Sequence, residues 1–65
     1  MMTEIIIRRL KASQGKTIKI FLHNNFKYEG TCGESDEKYV ELQDFRSGRL
    51  MIFEIGNIKI VEVIE

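Results

Sequence analysis

The stretch KTIKIFLHNNFKYEG, residues 16–30, decides the fold. Ile18, Ile20 and Leu22 alternate with Lys19, Phe21 and His23, which is the period of two of a β-strand. The alternation resumes after Asn24-Asn25, with Phe26, Tyr28, Gly30 and Cys32 on one side and Lys27, Glu29 and Thr31 on the other. Two alternating runs around a pair of turn residues read as a hairpin. Asn25 stands where a glycine would be the easiest choice. Asparagine tolerates positive φ better than most residues, so a type I′ turn is expected here. The side-chain carbonyls of both amides can also accept bonds from nearby backbone N–H groups. Gly30 inside the second strand marks a sharp bend or a close backbone approach, and Gly33 extends the curvature.

Three more strands follow. YVELQD (39–44) points Val40 and Leu42 inward, FRSG (45–48) is a turn, and RLMIFEI (49–55) is the fourth strand. After Gly56-Asn57, IKIVEVI (58–64) is the fifth. Upstream, Ile6, Ile7 and Leu10 fall on one helical face, with Arg8, Arg9 and Lys11 away from it. Thr3 suits an N-cap, Glu4 the first turn and Gly15 the stop, so a short helix is expected from about Glu4 to Ser13. The expected architecture is mostly β: a short N-terminal helix, then a five-stranded, strongly bent antiparallel small barrel.

The last two strands are apolar on both sides. Leu50 and Ile52 oppose Met51, Phe53 and Ile55. Ile58, Ile60 and Ile64 are read as opposing Val61 and Val63. Burying one such aliphatic side chain is worth ~1.5–3 kcal/mol. The N-terminal isoleucines could cover part of the second face. Strand edges with apolar flanks still pair with something. Identical copies joined head to tail close into a ring when the rotation permits. Met51, Phe53, Ile55, Val61 and Val63 are the expected oligomer interface.

With 65 residues, the chain is read as one domain spanning 1–65 with a small core. Cys32 is the only cysteine, which rules out an internal disulfide. Together with one histidine it falls short of the ~4 ligands of a structural zinc site. A lone cysteine and the lack of any span or signal segment point to the cytoplasm. No nucleophile–base pair is evident, so neither an enzyme nor a cofactor is expected. The net charge is zero but unevenly spread. Residues 1–27 hold six basic residues against Glu4, a net +5, and residues 28–65 carry the compensating −5. Arg8, Arg9 and Lys11 are candidate phosphate contacts on a basic face. Arg46 and Arg49 flank the 47–48 turn as a further lateral patch.

Order and spacing resemble the Sm-like proteins: archaeal and eukaryotic Sm and Lsm, and bacterial Hfq. The first motif matches at Phe21, Leu22, Asn24, Asn25, Gly30 and Asp36. The second matches in FEIGNIKIVEV at Gly56 and Asn57. The resemblance runs from Gly15 to about Ile64. It implies a homo-oligomeric ring, roughly five to seven subunits, whose pore loops hold single-stranded RNA, U-rich runs included, as scaffold or chaperone. On these positions the pore loops would offer Lys38, Tyr39, Asn57, Gly56 and Asn24. Tyr39 would stack a base, Asn57 would read its edge, and Lys38 would neutralise phosphate. Departures are evident. Without a gap, Lys38 falls at the family's stacking position and Val40 at its base-reading asparagine; with a loop one residue shorter, Tyr39 becomes the stacker. Ile55 replaces the second motif's arginine, and Hfq's Lys-His pair is absent. The alternative is therefore a barrel that has lost the RNA pocket and serves as a protein-interaction or assembly module.

Overall fold

Helix α1 (Met2–Ala12) opens the computed structural model, which describes residues 2–64. The helix begins before Thr3, so Thr3 lies in its first turn and does not cap it. Leu10 is completely buried, Ile6 and Ile7 pack against the core, and Ile5 is exposed. The helix stops at a tight corner. The Ser13 hydroxyl donates to the Arg9 carbonyl (2.7 Å). Gly15 then turns the chain with φ +86°, a conformation that suits glycine.

Five strands follow: β1 (Thr17–Leu22), β2 (Lys27–Ser35), β3 (Tyr39–Asp44), β4 (Leu50–Glu54) and β5 (Ile58–Val63). A single 3-10 turn, η1 (Ile55–Asn57), joins the last two. All pairings are antiparallel, in the order β4-β3-β2-β1-β5. β4 and β5 are thus the two edges, each with one side of its backbone unpaired among the described residues.

The β1–β2 hairpin is closed differently from a type I′ turn. Only Asn25 has positive φ (73°), whereas type I′ needs two such residues. Asn25 N donates to Leu22 O (3.0 Å) and Leu22 N to Phe26 O (2.8 Å), the three-residue loop whose last member is left-handed. Asn24 Oδ1 accepts from Phe26 N at 3.1 Å. The two amides therefore divide the labour: one holds the loop and the other supplies the left-handed residue.

Curvature comes from β2. Gly30 lies opposite Asp44, so close that an added Cβ would overlap the Gln43 carbonyl oxygen and sit 2.8 Å from its carbon. A register shift between Cys32 and Ser35, spanning Gly33, bends the strand again. Ile18, Ile20, Cys32, Val40, Leu42, Ile55 and Ile58 line the concave side with Leu10 of α1 above them. Burial raises the Cys32 thiol pKa, which leaves that side chain a neutral core group.

A second irregularity corrects the reading of β5. Phe21 pairs with Ile60 but Leu22 pairs with Ile58, leaving Lys59 as a bulge. The bulge reverses the alternation. Ile58, Val61 and Val63 share the inner side with Leu22, Ile20 and Ile18, and Ile60 points outward with Phe21. In β4, Met51 and Phe53 stand opposite buried Leu42 and Val40. Phe53 also packs on Tyr28, ring centroids 4.9 Å apart. Of the five residues expected at an interface, only Val63 is exposed, and Ile55 is in the core. The aliphatic side chains offered to solvent are instead Leu50, Ile52 and Ile60, with Ile64 beyond the last strand.

Candidate nucleic-acid interface

The short turn η1 gathers two other loops. His23 N donates to Asn57 O (3.0 Å), which ties down the β1–β2 tip. Ile55 N donates to Lys38 O (2.8 Å), which ties down the β2–β3 loop. Four of the five expected pore-loop residues, Lys38, Gly56, Asn57 and Asn24, therefore belong to one cluster of three joined loops. Lys38, Asn57 and Asn24 are exposed. The Asn57 side chain makes no hydrogen bond among the described residues. A Cβ on Gly56 would meet nothing within 4 Å, so the backbone there is open to a ligand.

Asp36 organises the β2–β3 loop. Its Oδ1 accepts from Lys38 N (2.7 Å) and Tyr39 N (2.8 Å), and its own N–H donates to Tyr39 O (2.9 Å). These bonds favour the charged form. They hold the carboxyl below its ordinary pKa, the Lys38 N–H first and the Tyr39 N–H second, with a smaller contribution from the Lys11 charge. The sequence brought out Asp36 only as a position of the first motif. An Asp two and three residues ahead of the amides it caps is the signal that was available.

Tyr39 departs from the cluster. It is 45% exposed and stands on the outer side of β3 across from Glu54. The cleft it lines also contains Glu34, Asp36 and Glu41, beside Ile52. A phosphate backbone would meet carboxylates there. Val40 and Ile55, the positions that the resemblance assigns to base-reading and basic groups, are both buried at 1% exposure.

The three basic residues of α1 do not act as one patch. Lys11 Nζ bonds Glu37 Oε2 at 3.1 Å, which docks the helix end on the β2–β3 loop and holds the Glu37 carboxyl below its ordinary pKa. Both partners are well exposed, so solvent screens this bridge and it contributes little to stability. Arg9 turns the other way, into a cleft with Ile5, Ile6, Lys59 and Ile60 beside the β5 edge. Arg8 is exposed and shares its helical face with Lys11. Among the described residues no group of three or more His, Cys, Asp or Glu side chains is placed to hold a metal ion, and no helix is long and apolar enough to cross a membrane.

No protein-family model matches the sequence. The curated proteins contain no significant match either. Among solved structures, a 1.55 Å crystal structure of the pleiotropic translational regulator Hfq is similar, with a TM-score of 0.72. The match covers 97% of this chain and 100% of that one, at 22% sequence identity. At that identity the likeness is one of fold. A short N-terminal helix followed by five bent antiparallel strands is the Sm-like architecture, and this chain has it.

Proposed function

We propose that the chain assembles in the cytoplasm into a homo-oligomeric, Sm-type ring that holds single-stranded RNA as a scaffold or chaperone, without catalysing a reaction. One observation carries this reading: a single sheet ends in two unpaired edges, each flanked by exposed aliphatic side chains. Leu50 and Ile52 stand at 55% and 62% exposure on β4, and Ile60 at 48% on β5. Pairing β4 of one copy with β5 of the next would complete both ladders and cover these side chains. Such head-to-tail contacts close into a ring or extend as a fibre, and a ring of roughly five to seven copies is the closed form proposed. Lys38, Gly56 and Asn57 would then recur once per subunit around the axis. Each repeat offers a cation for phosphate and an amide for a base edge. The similarity in fold to Hfq, a translational regulator, supports the same reading.

Native mass spectrometry at micromolar concentration, paired with fluorescence anisotropy on oligo-U and oligo-A at two salt concentrations, tests it. The expected result is a closed oligomer that binds oligo-U, with affinity falling as salt rises. A monomer of 7.6 kDa would overturn the ring. A ring that binds neither oligonucleotide at low salt would leave the assembly standing and discard RNA.

That second outcome corresponds to a specific alternative, an assembly or protein-interaction module. The burial of Val40 and Ile55 favours it, as do the carboxylates around Tyr39. Two positions that would face RNA now hold the core together, and the exposed ring lies in an acidic setting.

A further inference from the structure

Away from the three joined loops, a cleft of about 390 Å³ opens where the outer side of β1 and β2 meets the β3–β4 turn. That volume falls within the ~300–1,000 Å³ of small-molecule sites. Its walls combine three kinds of group. Lys19, Lys27 and Arg46 supply positive charge, and none of them forms an ion pair among the described residues. Phe45 supplies a flat apolar wall and is 56% exposed. It is not a loose side chain on a free loop, because Phe45 N donates to Glu29 O at 3.0 Å and fixes the backbone that carries it. The third kind of group is a carboxylate, and the two present differ. Asp44 is 5% exposed and its Oδ2 accepts from Ser47 N (2.8 Å), so it is spent on the turn. Glu29 is exposed, stands across from Lys19 in the β1–β2 register, and makes no side-chain hydrogen bond among the described residues.

Cations beside an exposed ring suit a ligand that is both anionic and flat. The free carboxylate narrows the choice. It can only accept hydrogen bonds, and it accepts two at once. Guanine presents two adjacent donors on its Watson–Crick edge, N1–H and N2–H. Adenine presents one donor beside an acceptor, and uracil one donor between two carbonyls. We infer that this cleft binds a guanine nucleotide, with the base stacked on Phe45, its Watson–Crick edge on Glu29, and its phosphate held by Lys19, Lys27 and Arg46. All of these residues belong to one chain, so the site needs neither the ring nor the loop cluster. The same chemistry is offered by a free guanine nucleotide or by a guanosine within RNA.

Two-dimensional amide NMR titrations of the full chain with GMP, AMP, UMP and inorganic phosphate test this directly. GMP should perturb the amides of residues 27–29 and 44–46, and bind about tenfold more tightly than AMP or UMP, the value of one good bidentate pair. Glu29→Gln should bring GMP down to the level of AMP. Phe45→Ala should weaken every nucleotide but not phosphate. Arg46→Ala should weaken all four ligands. A comparison of GMP with the dinucleotide GpA separates the sources: tighter GpA binding points to RNA, and equal or weaker binding to the free nucleotide. Equal affinity for AMP and GMP in the unmodified protein overturns the inference, as do perturbations confined to other residues. Oligo-U binding without any response to GMP would overturn this site and leave the RNA ring intact. A GMP response without binding of oligo-U or oligo-A would keep this site and discard the three joined loops as the RNA site.

Discussion

The centre and the margins of this sheet are built to different standards. In β1, β2 and β3 the inward side chains Ile18, Ile20, Cys32, Val40 and Leu42 are at most 1% exposed. In β4 and β5 the outward side chains Leu50, Ile52 and Ile60 are roughly half exposed, and the backbone of each strand has a free side. The centre is a finished core. The margins carry the composition of a core without its cover. A chain of this size can bury only ~60% of the surface its unfolded form exposes. The difference therefore shows where a further copy would add burial that the monomer lacks.

The sharpest way to break the comparison is at its centre. Gly30→Ala places a methyl group against the Gln43 carbonyl, and the neighbour is backbone that cannot rotate away. The expected cost is more than about 3 kcal/mol, or no folded protein at all. Chemical denaturation reads it. A loss below 1 kcal/mol would mean that the bend in β2 yields easily and does not set the curvature.

At the margin the expectation is the opposite. Ile52→Lys puts a charge on the outer side of β4 and should leave monomer stability within ~0.5 kcal/mol. It should nonetheless dissociate the assembly in native mass spectrometry. Phe53→Lys, one residue along and facing the core, should instead unfold the chain. An Ile52→Lys protein that keeps its oligomeric state would remove the β4 outer side from the contact.

This contrast also explains what could be read from the sequence. The hairpin, the bend at Gly30 and the helical face of Ile6, Ile7 and Leu10 were legible because each is a local rule with one dominant cause. The β5 faces were not. The Lys59 bulge reverses the alternation, and nothing in IKIVEVI distinguishes a bulged lysine from a paired one. The expected interface inherited that error, and Ile55 was assigned to a strand when it occupies a turn that feeds the core. The loop cluster was half legible. Motif order brought out Lys38, Gly56, Asn57 and Asn24, but the outward course of Tyr39 among carboxylates follows from tertiary pairing with β4.

A smaller test concerns the hairpin at the joint between these regions. Asn25 holds φ 73°, which glycine adopts without a Cβ penalty. Asn25→Gly should raise stability by at most ~1 kcal/mol, because the relief of strain is offset by the greater freedom of glycine in the unfolded chain. Asn24→Ala should lower it by ~0.5–1.5 kcal/mol through loss of the bond to Phe26 N. If both changes are neutral in thermal unfolding, the two amides are not maintaining the turn and a role toward a ligand becomes the better explanation.

The mildest effect is expected from Asp36, whose two backbone bonds order the loop that carries Lys38. Those bonds depress its folded-state pKa below the unfolded value of about 3.9. The unfolded chain therefore binds the proton more tightly than the folded one. The stabilisation is present above the unfolded pKa and is lost as pH falls through the folded one. Hydrogen exchange at the Lys38 and Tyr39 amides should accordingly show protection that declines below about pH 4, after correction for the intrinsic pH dependence of exchange. Glu37 and Asp44 are depressed too, the first by Lys11 and the second by Ser47, so global acid unfolding cannot isolate Asp36. Asp36→Asn retains a carbonyl acceptor but cannot titrate. It should abolish the acid-dependent part at these two amides and leave Gly48, which bonds within the Asp44 turn, unchanged. Persistence of the full pH dependence in Asp36→Asn would place the sensitive group elsewhere. The Lys38 loop would then be held by its backbone bonds to Tyr39 O and from Ile55 N and by the Lys11–Glu37 bridge, independently of the charge on Asp36.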